Sequence, residues 1–209
     1  MKTRRLKGTP VLPADPRRPR AADVRWAAAV ILNGGIVAVP TDTVYGLACD
    51  PRNALAIQRL YSLKGREPKK PLACLTAYTE QIMALSDLVP EAVWKAAKKH
   101  WPGALTLVAS KGDWLPANLS AGMPTIGVRY PNCPWIWELI EKVEFPIACS
   151  SANFSGQPAA VDGAQVAADW AGKVDLIIDG GRCPLGREST VAGMQGKALA
   201  VFRQGALQL

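Results

Sequence analysis

Four cationic side chains lie within the eight residues of the segment KGREPKKP, at positions 64, 66, 69 and 70. Lys64 and Arg66 are candidates for binding phosphate oxygens, as is Arg203 near the C-terminus, because cationic side chains, guanidinium groups above all, form strong hydrogen bonds to such oxygens. Arg129 is a candidate for binding a carboxylate instead. Charge runs of this kind are usually solvated surface, so the neighbouring motifs have to decide between a binding loop and a solvated one.

Short polar side chains follow two of the predicted strands at the points where those strands end. After the apolar runs at 36–40 and 146–149, they are Thr41, Asp42, Thr43, Ser150, Ser151 and Asn153. Ser, Thr and Asn at a strand end often serve only as turn or cap residues. Polar groups at the mouths of buried strands are also where α/β proteins bind ligands. Together with Arg129, which ends a third strand, they favour a ligand-binding role.

The familiar nucleotide-binding and hydrolase motifs are absent from the sequence. It contains neither a G-x-x-x-x-G-K-[ST] loop nor a G-x-G-x-x-G turn, so any phosphate binding must depend on side chains. The single histidine, His100, lies in KKHWPG at a predicted helix end, and no Ser-His-Asp or Cys-His set is indicated. A mechanism of positioning and charge neutralisation fits these residues better than covalent catalysis.

Alternating helix and strand patterns predict one α/β domain with a largely buried sheet. Apolar residues at helical spacing cover 21–32 and stop at Asn33-Gly34-Gly35, which leads into the apolar strand 36–39. Further predicted helices cover 54–63, 79–85, 90–99, 134–142 and 162–170. Further predicted strands cover 72–75, 104–110, 125–129, 146–149, 174–178, 190–192 and 200–203. With 49% hydrophobic residues among 209, the chain can bury a full core.

The positive charge is concentrated near the N-terminus. Residues 1–20 hold seven of the 25 basic residues and one of the 17 acids, so most of the net charge of +8 lies there. Four prolines prevent one continuous helix over this segment. We therefore predict a basic, Pro-rich arm at 1–20, either solvated or touching RNA, followed by a catalytic domain at 21–209.

Cysteine and histidine usage indicates the compartment and the absence of a structural metal. Five cysteines without a C-x-x-C pair do not suggest a disulfide framework, which favours a reducing compartment. One histidine is too few for a zinc site of the usual kind, so no tightly bound metal is predicted. No apolar run reaches membrane-spanning length. The sequence predicts a cytoplasmic protein without membrane association.

Seven segments occur in an order that resembles one protein family. They are VPTDTVYGLACD (39–50), LKGREPKKPL (63–72), HWPGALTLV (100–108), TIGVRYP (125–131), SSANFSGQPA (150–159), DGGRCPLGREST (179–190) and FRQGAL (202–207). Together they resemble the YrdC/Sua5/TsaC family of threonylcarbamoyl-AMP synthases, in its short TsaC-like form. The K-x-R loop followed later by S-x-N is the most specific part of this likeness.

The resemblance implies a fold and a reaction. The fold is a single-domain twisted mixed α/β sheet with flanking helices around a large positively lined cavity. The reaction is that of a nucleotidyltransferase: L-threonine, bicarbonate and ATP, with Mg²⁺ accompanying ATP, give threonylcarbamoyl-AMP and pyrophosphate. The product serves N6-threonylcarbamoyladenosine formation at position 37 of tRNA, so the implied partners are the downstream tRNA threonylcarbamoyl-transfer proteins, with a possible weak contact to tRNA itself.

The resemblance also assigns site residues. Lys64 and Arg66 would be catalytic, neutralising the triphosphate while the carbamate of threonine attacks the α-phosphorus. The residues implied to surround threonine are Thr43, Arg129, Ser151 and Ser189. Those implied to line the nucleotide site are Arg66, Lys70, Thr125, Asn153, Val161 and Arg203. The sequence departs from the family pattern at Leu75, where histidine is frequent, at Gly193 in STVAG, where aspartate is common, and at Gln204, where proline is usual.

Two alternative functions stay open. Related domains of hydrogenase-maturation proteins make a carbamoyl adenylate from carbamoyl phosphate, but those domains normally belong to larger, cysteine-rich chains. A non-catalytic RNA-binding module would use the cavity and the basic arm, yet the body of the chain carries little net charge and shows no evident aromatic stacking platform.

Overall fold

Ten strands form one mixed sheet in the part of the chain that this computed structural model describes, residues 8–65 and 70–209. The strands are β1 (Val11–Pro13), β2 (Val37–Val39), β3 (Gly46–Cys49), β4 (Ala73–Leu75), β5 (Leu105–Ser110), β6 (Thr125–Arg129), β7 (Ile147–Ser151), β8 (Leu176–Asp179), β9 (Thr190–Gln195) and β10 (Ala198–Arg203). The helices are α1 (Ala21–Leu32), α2 (Ala54–Lys64), α3 (Glu91–His100), α4 (Pro134–Val143) and α5 (Gly163–Trp170), with 3₁₀ helices at Thr79–Ala84 and Ala117–Ser120.

The strand order across the sheet is β1-β8-β2-β3-β7-β4-β6-β5-β9-β10. Four neighbouring pairs are parallel, namely β1/β8, β2/β8, β4/β6 and β5/β9. The other five pairs are antiparallel. The prediction of one mixed α/β sheet with flanking helices is therefore confirmed.

Each face of the sheet is covered by its own cluster of apolar side chains. Val37 and Val39 of β2 pack with residues of α1 and α4 on one face, whereas Ala38 packs with residues of α2 and α5 on the other. This alternation follows from the two-residue period of a strand. The largest fully buried side chains, Trp135 of α4 and Trp170 of α5, anchor the two faces.

Local signals define both ends of α2. The Asn53 side chain accepts hydrogen bonds from the backbone N–H groups of Leu55 and Ala56 at the start of the helix, as an N-cap residue does. The helix stops at Gly65, which adopts the left-handed conformation (φ 56°) that favours glycine. Lys64 is thus fixed as the last helical residue, next to the end of β7.

Besides β1, three elements differ from the sequence-based prediction. Strand β3 lies inside the segment PTDTVYGLACD, for which no strand was predicted. Its short apolar run begins at Gly46, so it lacks the β-branched residues that mark most strands. The segment predicted as a helix at 79–85 is a 3₁₀ helix, and the short 3₁₀ helix at 117–120 was not predicted.

Part of the predicted N-terminal arm belongs to the sheet. Strand β1 pairs in parallel with β8, where the prolines around it are tolerated because it is an edge strand. The Thr9 hydroxyl donates to the carbonyl of Val174 (2.6 Å) and accepts from the backbone N–H of Gly172 (2.7 Å). Residues 9–13 are therefore packed on the sheet, whereas Arg17, Arg18 and Arg20 are exposed. Residues 1–7, with the other four basic residues of the predicted arm, lie outside the described residues.

Across residues 8–65 and 70–209, the structure contains no helix with the length and apolar character needed to cross a membrane. All five cysteines are buried free thiols.

Deleting residues 1–16 is expected to lower stability. The deletion removes the β1/β8 ladder and the two hydrogen bonds of Thr9, each worth about 1 kcal/mol net. Loss of the two Thr9 bonds alone, about 2 kcal/mol, lowers the melting temperature of a chain of this size by roughly 4–8 °C, measurable by circular dichroism, and loss of the ladder lowers it further. The control is deletion of residues 1–7, which removes none of the described contacts. Equal melting temperatures for both deletions would contradict a stabilising role for β1.

Candidate functional site

A cavity of about 430 Å³ opens on one face of the central strands. Its floor consists of residues from six adjacent strands whose side chains point to the same face. They are Gly46 of β3, Cys149 and Ser151 of β7, Ala73 and Leu75 of β4, Gly127 and Arg129 of β6, Thr106 and Val108 of β5, and Val191 of β9. The register places these residues opposite one another, for example Leu75 beside Arg129 and Ala73 beside Cys149.

Small residues in the floor leave room for a ligand. A Cβ atom at Gly46 would lie 2.3 Å from the Cys149 sulfur, so only glycine fits there. A Cβ atom at Gly127 would approach the Thr106 methyl group to 3.1 Å. Burial raises the pKa of the Cys149 thiol to about 12, against the opposing effect of the Arg129 and Lys64 charges. Cys149 is therefore a neutral thiol near pH 7 and not an activated nucleophile.

Arg129 is almost completely buried, with 5% of its surface exposed, and three neighbours hold its guanidinium group. Its Nε donates to the carbonyl of Gly103 (2.9 Å) and its Nη1 donates to the Thr43 hydroxyl (2.6 Å). Its Nη2 forms an ion pair with the Asp42 carboxylate, which is also buried. Each guanidinium Nη atom carries a second N–H, so Arg129 still has donors for a ligand.

The loop between β2 and β3 is built by its own side chains. The Thr41 hydroxyl donates to the carbonyl of Val44 (2.6 Å) and accepts from the backbone N–H of Thr43 (3.1 Å), which is a common way for Thr to stabilise a turn. The Tyr45 hydroxyl donates to the carbonyl of Gly181 (2.8 Å). Burial raises the pKa of this tyrosine far above its usual value, so it remains a neutral hydrogen-bonding group that attaches the 180–188 segment to β3.

Lys64 connects the K-x-R and S-x-N motifs. Its side chain is 2% exposed, and its Nζ donates to the carbonyl of Ser151, to the carbonyl of Asn153 (2.7 Å) and to Asn153 Oδ1 (3.1 Å). The Ser151 hydroxyl donates to the same Oδ1 atom (2.7 Å). The end of α2 is thereby fixed to the end of β7, which explains in physical terms why these two motifs occur together.

Ser189 and Arg203 form a further wall of the cavity. The Ser189 hydroxyl lies 2.8 Å from the Thr106 hydroxyl. Arg203 Nη2 donates to the Ser189 carbonyl (3.0 Å), and its Nη1 lies 3.0 Å from Glu188 Oε2. Gly205 allows this approach, because a Cβ atom there would lie 2.3 Å from the Ser189 carbonyl carbon.

The cavity brings together most of the predicted site residues. Those that line it are Thr43, Lys64, Lys70, Arg129, Ser151, Asn153, Ser189 and Arg203. Val161 lines an adjoining pocket, which shares Asn153 and Glu188 with the cavity. Thr125 is half-buried at the start of β6 and lines neither of these two pockets. Arg66 lies outside the described residues.

Sequence reasoning did not single out several residues that the structure places at the site. Asp42 was noted only as a polar strand-end residue, yet it is the ion-pair partner of Arg129. Thr106 and Glu188 line the cavity; both lie in segments that we quoted for the family resemblance, but neither was assigned a role. The one sequence signal that could have identified Asp42 as a site residue was its position between two threonines after a buried strand.

The three departures from the family pattern have distinct surroundings. Leu75 is buried in the floor beside Arg129, so that position is apolar here. A side chain at Gly193 would meet the Phe202 ring at 2.8 Å. The Gln204 side chain donates to the carbonyl of Leu207 (2.6 Å), which stabilises the turn that proline would otherwise stiffen.

Comparison with known proteins gives matches over most of the chain. A family model named Sua5/YciO/YrdC, described as telomere recombination, matches residues 29–205. A threonylcarbamoyl-AMP synthase of Pyrococcus abyssi is 40% identical over 186 residues, covering 89% of this chain and 55% of the relative. One of Bacillus subtilis is 37% identical over 185 residues, covering 88% and 54%. The chain thus spans about half the length of these two relatives.

Solved structures match the fold. The crystal structure of P. abyssi Sua5 complexed with L-threonine superposes with a TM-score of 0.90 and 38% identity, covering 94% of this chain and 58% of that one. T. kodakarensis HypF superposes with a TM-score of 0.76 at 23% identity, covering 92% of this chain and 26% of that one, which is a likeness of fold alone. On the family match and on the identity with the curated relatives, this chain belongs to the Sua5/YciO/YrdC family.

Proposed function

We propose that the chain is an L-threonylcarbamoyladenylate synthase, which makes threonylcarbamoyl-AMP and pyrophosphate from L-threonine, bicarbonate and ATP. The product would supply the threonylcarbamoyl group for N6-threonylcarbamoyladenosine formation in tRNA. The observation that carries the proposal is one cavity lined by a buried arginine, Arg129, and by three further cationic residues, Lys64, Lys70 and Arg203. The curated names of the relatives support it.

The threonine side of the cavity is assigned to the surroundings of Arg129. The second N–H on each Nη atom would bind the α-carboxylate as a fork, while Asp42, Thr43 and Gly103 hold the other donors. The hydroxyl groups of Thr43, Ser151 and Ser189 would surround the rest of the amino acid, above an apolar floor at Leu75. A bound L-threonine in P. abyssi Sua5 supports this assignment.

The nucleotide side is assigned to the cationic part of the cavity and to the adjoining pocket. Lys64, Lys70 and Arg203 would neutralise the phosphates, together with Arg66. The base and ribose would lie toward Asn153 and Val161 in the adjoining pocket, and Thr125 would lie at its margin. Among the described lining residues Glu188 is the one acid, so we propose a positively lined cavity.

The proposed mechanism has two chemical steps, carbamate formation and attack on ATP, and the second step brings two anions together. Bicarbonate takes up a proton and loses water to give carbon dioxide, and the neutral amine of threonine attacks this carbon dioxide and releases a proton to form a carbamate. A carbamate oxygen then attacks the α-phosphorus of ATP, the bond from that phosphorus to the α,β-bridging oxygen breaks, and pyrophosphate leaves. The carbamate and the triphosphate repel each other, so the cations of the cavity lower the barrier by neutralising both. Mg²⁺ would enter as part of the ATP substrate. The described residues contain no cluster of three metal-binding side chains. Phosphate-bound Mg²⁺ commonly uses one or two protein carboxylates, and Glu188, the partner of Arg203, would be the one available among the described lining residues.

Adenylate formation is expected to require threonine and bicarbonate together. Purified protein would be incubated with ATP, Mg²⁺, L-threonine and labelled bicarbonate, and pyrophosphate and a labelled adenylate would be measured. Omitting either threonine or bicarbonate should abolish both signals. If carbamoyl phosphate supports the reaction instead, the chemistry is of the hydrogenase-maturation type. If neither threonine with bicarbonate nor carbamoyl phosphate supports adenylate formation, the result favours a non-catalytic RNA-binding role.

Arg129→Lys should chiefly raise the threonine requirement. Lysine keeps the charge but loses the fork, and one charge-assisted hydrogen bond contributes roughly 1.5–3 kcal/mol, or about ten- to 150-fold in affinity. Threonine would be titrated at saturating ATP. Arg52→Lys is the matched control, because Arg52 forms a bidentate pair with Asp50 and lines neither pocket. An unchanged threonine requirement in Arg129→Lys would remove Arg129 from the site.

Arg66→Ala should chiefly weaken ATP binding, because it removes a charge from the phosphate side. The expected loss is about tenfold or more in ATP affinity, with the threonine requirement changed much less. Titration of ATP at saturating threonine measures it. If the variant loses more affinity for threonine than for ATP, the assignment of Arg66 to the phosphate side of the proposed cavity is wrong.

A further inference from the structure

We propose that Asp42 is a positioning residue that holds the Arg129 guanidinium in the orientation needed to bind the substrate carboxylate, without touching the substrate itself. This inference rests on the proposed function and assigns a role to a residue that the motif comparison left without one. It is carried by the buried ion pair between Asp42 and Arg129.

The guanidinium orientation is fixed by three acceptors from two separate chain segments. Gly103, just before β5, accepts from Nε, while Thr43 and Asp42, in the loop between β2 and β3, accept from Nη1 and Nη2. Without Asp42 the group would retain one bond from Nε and one from Nη1. The Nη2 side would then lack its acceptor, and rotation about the terminal bonds of the side chain would become easier.

Burial explains why the acceptor is an acid. Arg129 and Asp42 are 5% and 7% exposed, and a buried guanidinium charge without a compensating anion is strongly unfavourable. Without a bound substrate, the Asp42 carboxylate supplies that anion. The charge of Asp42 therefore stabilises the folded protein, whereas its oxygen, as the acceptor of the Nη2 hydrogen bond, holds the guanidinium in place before a ligand arrives and so reduces the reorganisation that binding requires.

Asp42 is held in a fixed position by its neighbours, but it does not line the candidate binding cavity. Its own carbonyl accepts from the backbone N–H of Leu185 (3.0 Å), and the neighbouring Thr41 hydroxyl closes the turn. Arg129 and Thr43 line the cavity, whereas Asp42 is absent from the lining of both pockets. The side chain thus contacts the arginine from behind, on the side away from a ligand.

Two variants with the same charge separate positioning from simple electrostatics. Asp42→Asn keeps an oxygen acceptor at the same place, whereas Asp42→Ala removes it. We expect threonine affinity to fall by less than about threefold in Asp42→Asn and by about tenfold or more in Asp42→Ala, because a hydrogen bond to a charged group is lost only in the second. Affinity for ATP should remain unchanged in both. Calorimetric titration of threonine and of ATP measures these values.

A spectroscopic measurement reports on Arg129 without any ligand. In protein labelled with ¹⁵N-arginine, the Nε–H of Arg129 should be protected from solvent exchange by its bond to Gly103, and the signal is assigned by its loss in Arg129→Lys. Protection should persist in Asp42→Asn and disappear in Asp42→Ala. The control is Asp50→Ala, which removes the partner of Arg52, a residue that lines neither pocket, and should change neither this signal nor threonine binding.

Each outcome decides a separate question. Absence of threonine binding in the unaltered protein would overturn the proposed function, while the Arg129 signal would still test the positioning role. Equal losses of threonine affinity in Asp42→Asn and Asp42→Ala would overturn the positioning role in favour of charge alone. No loss in either variant would also overturn it.

If Asp42→Ala does not fold, Asp42→Glu takes its place. It keeps the charge but moves the acceptor by one methylene group, and it should bind threonine more weakly than Asp42→Asn.

Discussion

The buried charge of Arg129 is the constraint on which the candidate site depends. A guanidinium that is withdrawn from water must have acceptors and a counter-charge close by, or the fold loses several kcal/mol. Gly103, Thr43 and Asp42 meet this requirement from two loops that are far apart in the sequence. The connection between β2 and β3 must therefore pack against the end of β6, and the cavity forms where they meet.

A second buried cation fixes the opposite side of the cavity. Lys64 ends α2 and donates to the backbone and side chain of the 151–153 segment, so the helix and the end of β7 behave as one unit. The two cations are thereby separated across the floor, one with an acid beside it and one surrounded by neutral oxygens. Under the proposed function, Arg129 would bind the carboxylate and Lys64 would help to neutralise the phosphates.

The floor between these cations depends on residues without bulk. Gly46, Ala73 and Gly127 lie in β3, β4 and β6, and their small side chains leave space above the sheet. Gly205 lets the C-terminal segment approach Ser189 closely. Such residues weaken strands as isolated elements. The surrounding ten-stranded sheet supplies the stability that the local sequence lacks.

The sequence by itself determined the features that depend on neighbouring residues. The helix stop at Asn33-Gly34-Gly35, the alternation of helices with strands and the cationic loop were all evident from the sequence, and the ordered motifs indicated residues that the structure brings to one cavity. Tertiary structure alone decided that β1 joins β8, that β3 is a strand, and that Asp42 pairs with an arginine 87 residues away. It also left Thr125 out of the cavity lining. The reason is physical: strand order and burial join segments that share no local pattern, so a partner is specified only when the whole sheet has formed.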